Sequence, residues 1–171
     1  MEIKRKNLIL DKSIKFHNFR GSDYIKDFFE NRFKDSEVLV YFDPDVDGLY
    51  AGYFACQSLH RKGIKFNWYI NSDRKHGFLI PVDKVKGKNI FCVDFLMNHS
   101  EIKSLVDAGC NVLCIDHHDN GDEFIEYSSN GKKGVVINNQ YGFEEESGRY
   151  LSGAGVVFES LLPYLGDSFN T

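Results

Sequence analysis

At 171 residues the chain is long enough to bury one substantial core and short for two domains. Its 42% hydrophobic and 27% charged residues are ordinary globular values, and a net charge of −4 excludes binding to nucleic acid through overall basicity. No apolar run approaches the roughly 18 residues of a membrane span, and Leu8-Ile9-Leu10 is too short for the core of a secretory signal.

In chain order, residues 1–20 read as a basic N-terminal arm. Ser22 is placed to cap a helix whose apolar residues, Tyr24, Ile25, Phe28, Phe29 and Phe33, fall at helical spacing. The run at 38–42 is a continuous apolar strand, followed by a helix over 48–59 that ends near Gly63. A second strand is expected at 66–70, then a loop from Asn71 to about Pro81. Strands at 90–93 and 112–115 flank a helix capped by Ser100, with Gly109 just past its end. A fifth strand is expected at 135–137 and a last helix from about Gly153 to Leu162. Short apolar strands alternating with helices predict one α/β domain, a three-layer fold with a mainly parallel five-stranded sheet covered on both faces. Cys56, Cys92, Cys110 and Cys114 form no CxxC pair, so reduced thiols in a cytoplasmic protein are expected.

Charge is unevenly spread. Between Arg61 and Lys88 eight Lys/Arg face only Asp73 and Asp83, whereas 119–147 holds seven acids against Lys132 and Lys133. Arg74 and His76, in the basic loop, are candidates to clamp backbone phosphate. Trp68, Tyr69 and Phe78 lie nearby and are candidates to stack bases, with at least one of the two strand residues expected in the core.

The residues that follow the strands carry the chemistry. Asp43-Pro44-Asp45-Val46-Asp47-Gly48 follows the first, Asp94 the third, Asp116-His117-His118 the fourth and Asn138-Asn139 the fifth. Ligands of open α/β sheets bind in the crevice beyond the carboxyl ends of the strands. Asp47 alone reads as a helix cap and Asp94 alone as a turn acid, but adjacent histidines after a buried strand seldom serve packing. Several carboxylates crowded in one partly dry crevice require neutralisation. Oxygen ligands with a minority of imidazoles suit Mn²⁺ or Mg²⁺, and two such ions fit hydrolysis of a phosphodiester or phosphoanhydride. The small residues at the start of the last helix, Ser152, Gly153 and Gly155, permit close packing or offer N–H groups to a phosphate.

These residues resemble the first three motifs of the DHH phosphoesterase superfamily, in order and in strand context. Within it the chain is most similar to the catalytic core of RecJ-type single-strand-specific 5′→3′ exonucleases. Asp45-Val46-Asp47-Gly48 resembles the RecJ form of the first motif, with Tyr41 where many relatives carry a histidine. Arg74-Lys75-His76-Gly77-Phe78 and Leu151-Ser152-Gly153-Ala154-Gly155-Val156 resemble two further stretches, and Asn138-Asn139 stands where the family has Asn-Pro. The resemblance covers about residues 37–165. It implies Asp45, Asp47, Asp94 and His117 as metal ligands, His118 at metal or scissile phosphate, and Asp43 and Asp116 as ligands or their supports. It implies single-stranded DNA as substrate, no membrane, and protein partners in DNA repair or replication. The family's fourth aspartate and second, smaller domain have no match before Thr171, so residues 21–171 are expected to be a DHH domain incomplete at its C-terminal end. The alternatives are a phosphodiesterase of small substrates (oligoribonucleotide, cyclic dinucleotide or pyrophosphate) and a scaffold without turnover.

Overall fold

Six strands form one sheet in the order β2-β1-β3-β4-β6-β5, in a computed structural model that describes residues 21–34, 36–71, 78–118, 124–138 and 151–166. The basic N-terminal arm lies outside them. The strands are β1 (Val38–Phe42), β2 (Phe66–Ile70), β3 (Asn89–Val93), β4 (Asn111–Asp116), β5 (Phe124–Ser129) and β6 (Lys132–Asn138). All neighbours are parallel except β5 and β6. The helices are α1 (Ser22–Asp27), continued by a π-helical turn (Phe28–Arg32), then α2 (Val46–Arg61), α3 (Val82–Val85), α4 (His99–Asp107) and α5 (Gly153–Leu165).

Period-two alternation divides the core into two layers. Val38, Val40, Phe42, Phe91, Val93, Leu113, Ile115, Val135 and Ile137 point to the face covered by α1, α2 and α5. Tyr41, Ile90, Cys92, Val112, Cys114 and Val136 point to the other, where Val85 of α3 and Ile102, Leu105 and Val106 of α4 cover them. β3 and β4 are buried on both faces, and so read as unbroken apolar runs. The three-layer α/β expectation therefore stands.

Five details differ from the sequence reading. Trp68 and Tyr69, of which at least one is expected in the core, are both exposed, because β2 is an edge strand. A sixth strand, β5, pairs antiparallel with β6 through Asn130-Gly131, both at positive φ (48° and 76°). Its residues, Phe-Ile-Glu-Tyr-Ser-Ser, alternate in burial, because an edge strand faces solvent on one side. Gly21, not Ser22, occupies the N-cap of α1, with no side-chain cap. Asn98, not Ser100, caps α4: its carboxamide oxygen accepts from Glu101 N at 3.0 Å while Glu101 Oε2 accepts from Asn98 N at 2.9 Å, a reciprocal capping box. Finally, α3 interrupts what reads as loop, immediately after Pro81.

At the amino edge of the sheet a polar network ties the π-helical turn to the strands. Asn89 Nδ2 donates to Arg32 O (2.8 Å) and to Ser36 Oγ, while Asn111 Nδ2 donates to Asn89 Oδ1 (3.0 Å). The carboxyl edge, in contrast, collects the acids and imidazoles.

Candidate metal centre

The strand order reverses around β1: β2 lies on one side of it and β3 on the other. That is the switch point where a crevice opens beyond the strand ends. β1 leads into the acidic turn 43–47, β3 ends at Asp94 and β4 ends at Asp116, followed by His117 and His118.

Asp94 is the centre of the arrangement. It is buried, 2% exposed, and its backbone is left-handed at φ 50°. Such a conformation is uncommon for a residue with a side chain. The Asp94 N–H still donates to Ile115 O (3.0 Å), so the end of β3 stays joined to β4 as the chain turns. His117 Nε2 stands 3.2 Å from Asp94 Oδ1 and 4.0 Å from Asp47 Oδ2. The first contact is an ion pair without hydrogen-bond alignment, and Asp94 Oδ1 accepts no hydrogen bond. Gly153 borders this pocket and leaves room for the carboxylate: a Cβ there would lie 1.9 Å from Asp94 Oδ1.

His118 is held from behind. Its Nδ1 lies 2.7 Å from Asp116 Oδ1, and its carbonyl accepts from Asn138 Nδ2. Asp116 is fully buried, and its Oδ2 has no partner. Asp116 raises the pKa of His118 from 6.5 to about 9, with smaller contributions from Asp94 and Asp43. The Asp94 carboxylate likewise raises His117.

Ligand atoms of Asp94, His117 and His118 lie within 4.8 Å of one another. Two orphaned, buried carboxylate oxygens beside two imidazoles are a donor set that fits a divalent cation, since each orphan carries a desolvation penalty that a cation removes. With Nδ1 of His118 engaged by Asp116, Nε2 remains to face an ion, the usual carboxylate–histidine support of a ligand.

The other sequence-derived candidates occupy varied positions. Asp47 anchors α5: its carboxylate accepts from Gly153 N (2.7 Å) and Ala154 N (3.0 Å), so those amides face Asp47. Asp45 caps α2 by accepting from Gly48 N at 2.7 Å, and its side chain is not part of the cluster of three. Asp43 is near enough to act on His118 electrostatically. Ser152 caps α5 through Gly155 N (3.3 Å). Asn138, buried, pins the His118 backbone. Arg74 and His76 lie outside the described residues. Tyr41 is core: its ring stacks on Tyr69 (centroids 5.4 Å apart, 9° between planes) and its hydroxyl accepts from Leu79 N at 3.3 Å. Burial pushes its pKa up to about 12.

Two features of the site escape a reading by residue type. One is the left-handed turn at Asp94, for which the sequence offers only the general tolerance of aspartate for that region. The other is the partner of Asn138: the sequence reading takes it as a substrate-binding candidate, and its side chain pins the His118 backbone.

A model of the DHH family, N-terminal domain, matches residues 37–169. The chain belongs to the DHH family. Its structure is similar to RecJ from Thermus thermophilus in complex with Mn²⁺, with a TM-score of 0.62 at 20% identity, covering 94% of this chain and 23% of that one. It is also similar to exonuclease RecJ bound to manganese (TM-score 0.64, 21% identity, 85% of this chain, 37% of the other). CDC45 from Entamoeba histolytica matches at a TM-score of 0.52 and 14% identity, over 88% of this chain and 31% of its own. At such identities the likeness is one of fold, and this DHH chain spans well under half the length of each of these proteins. No curated protein matches it in sequence. Among the described residues no helix is long and apolar enough to cross a membrane.

Proposed function

We propose that this DHH chain carries a divalent-metal-dependent phosphodiesterase site that cleaves single-stranded DNA, in the manner of a 5′→3′ exonuclease core. The observation that carries this reading is the buried Asp94 carboxylate, whose orphaned Oδ1 faces His117 at the switch point of the sheet.

Asp94, His117 and His118 would hold one Mn²⁺ or Mg²⁺, and Asp43 and Asp47 would contribute to a second. The chemistry supplied by such ions, when bound, would be positive charge at a phosphoryl oxygen and a lowered pKa of water. Asp116 fixes the His118 ring and leaves Nε2 free to face an ion or the scissile phosphate. Asp47 ties the start of α2 to the start of α5, so the two segments that flank Asp94 keep their spacing. Gly153 keeps the space beside Asp94 open. A cytoplasmic location and single-stranded DNA as partner follow from this reading.

A scaffold without turnover is favoured by one observation: Asp45, which the family resemblance makes a ligand, caps α2 and stands outside the cluster of Asp94, His117 and His118. Incubation of the chain with Mn²⁺ and 5′-labelled single-stranded DNA, beside duplex DNA and a cyclic dinucleotide, separates the readings. Release of mononucleotides from single strands, lost by more than about 100-fold in His117→Ala and Asp94→Asn, is the expected result. Cleavage of the cyclic dinucleotide alone assigns a small substrate instead. Silence of the parent protein on all three substrates leaves the scaffold.

A further inference from the structure

From Gly48 to Ser72 the sequence contains no Asp or Glu, although the whole chain has 25. This stretch is α2, β2 and their connection, and it begins inside the acidic motif of the candidate centre. It carries His60, Arg61, Lys62 and Lys65, all exposed. Together with Val46 just before it, it also carries most of the exposed large apolar side chains: Val46 (71% exposed), Leu49, Tyr50 (58%), Tyr53 (49%), Trp68 (61%) and Tyr69.

These side chains share a place. Val46, Tyr50 and Tyr53 follow the i, i+4, i+7 spacing of one helical stripe, turned away from the buried Gly48, Ala51, Gly52 and Ala55. Trp68 pairs in register with Val40 and shares its face of the sheet, the one α2 covers. Phe42 lies between the two elements. Its ring centroid is 6.4 Å from that of Trp68, and a Cβ on Gly52 would meet the same ring at 2.6 Å. Depths agree as well. Tyr53 is seven residues along a helix from Val46, about 10 Å at 1.5 Å per residue. Trp68 lies at the level of Val40, three strand residues or about 10 Å below Asp43.

We propose that Tyr50, Tyr53 and Trp68 form a stacking platform for the unpaired bases of a single-stranded nucleic acid whose cleaved end occupies the metal centre. The proposal rests on the phosphodiesterase reading above and adds to it the subsite for nucleotides beyond the scissile one. Exposed aromatic rings on a stable core cost free energy in a monomer and are the means by which proteins hold single strands without reading sequence. A stretch that carries exposed lysine and arginine and no acid suits a polyanion, whereas a protein partner gives no reason for the acids to be missing from it.

Trp68 is the single tryptophan, so it reports on its own surroundings. In EDTA, which separates binding from cleavage, a twelve-residue oligothymidylate should quench its emission saturably, and an abasic strand of the same length should not. Anisotropy of the labelled oligothymidylate should show binding weakened about tenfold or more by Trp68→Ala and by Tyr50→Ala/Tyr53→Ala, with Trp68→Phe largely restoring it. Abasic strand affinity should not respond to these variants. His117→Ala should keep the quenching. No quenching in the parent, unchanged affinity in the variants, or equal losses for abasic and thymidylate strands would each overturn the platform; a surface that ignores both strands would instead be a protein-docking face. If quenching is seen and no substrate is cleaved with Mn²⁺, the platform stands and the phosphodiesterase reading falls.

Discussion

Gly153 and Asp94 illustrate how little room the candidate centre leaves. A methyl group on Gly153 would collide with Asp94 Oδ1, so Gly153→Ala should lower Mn²⁺ affinity at least about tenfold by calorimetry, through displacement of a ligand that metal sites require in place. Gly155→Ala, where the nearest neighbour is Leu151 Cβ at 3.3 Å, should change it far less. His118 gives a pH signature with two opposite signs. In the metal-free protein its pKa is raised from 6.5 to about 9 by Asp116. The stability from this pair is therefore full below about pH 6.5 and is lost as pH rises through about 9. An ion needs the imidazole neutral, so Mn²⁺ affinity should rise over the same interval. Thermal melts in EDTA and Mn²⁺ titrations from pH 6 to 9 should move in opposite directions; parallel trends would mean that His118 is not a ligand. Of the site, the residue types after each strand were legible in the sequence. The partners were not: that Asp45 caps a helix while Asp94 meets His117 depends on rotamers and on a left-handed turn, which residue identity does not specify.

At the scale of elements, the β5–β6 hairpin is the clearest case of a readable signal passed over. Asn130-Gly131 flanked by alternating residues is the sequence of a type I′ turn, whose two central residues both need positive φ. Gly131→Val should destabilise the fold by about 1–2 kcal/mol in denaturant melts and leave Mn²⁺ affinity unchanged, because the turn is at the opposite end of β6 from Asn138. Elements with an uninterrupted apolar run, β1, β3 and β4, were readable to within a residue or two, since burial on both faces leaves one solution. Helix caps were not. Asn98 and Ser100 are equivalent as caps by residue type, and Glu101 decides between them by reaching back to Asn98 N while its other oxygen accepts from Phe78 N (2.8 Å). That second contact joins α4 to a segment distant in sequence.

For the whole molecule, two buried carboxylates without full partners mean that the metal-free fold carries an unrelieved electrostatic cost. Mn²⁺ should therefore raise the melting temperature in proportion to the logarithm of its concentration, by mass action. Asp94→Asn should show no Mn²⁺ response. A parent whose melting temperature ignores Mn²⁺ would remove the basis of the metal centre. The sequence by itself determined the α/β class, the parallel strands and the acids and histidines at their ends, because hydrophobic period and residue chemistry are local properties. Only the tertiary structure decided which carboxylates converge, that the hairpin lies beside β4 with β5 at the edge, and that Trp68 is exposed while Tyr41 is buried. Those outcomes depend on which strand lies at an edge and which helix covers which face, and strand order is set by packing between segments far apart in the chain.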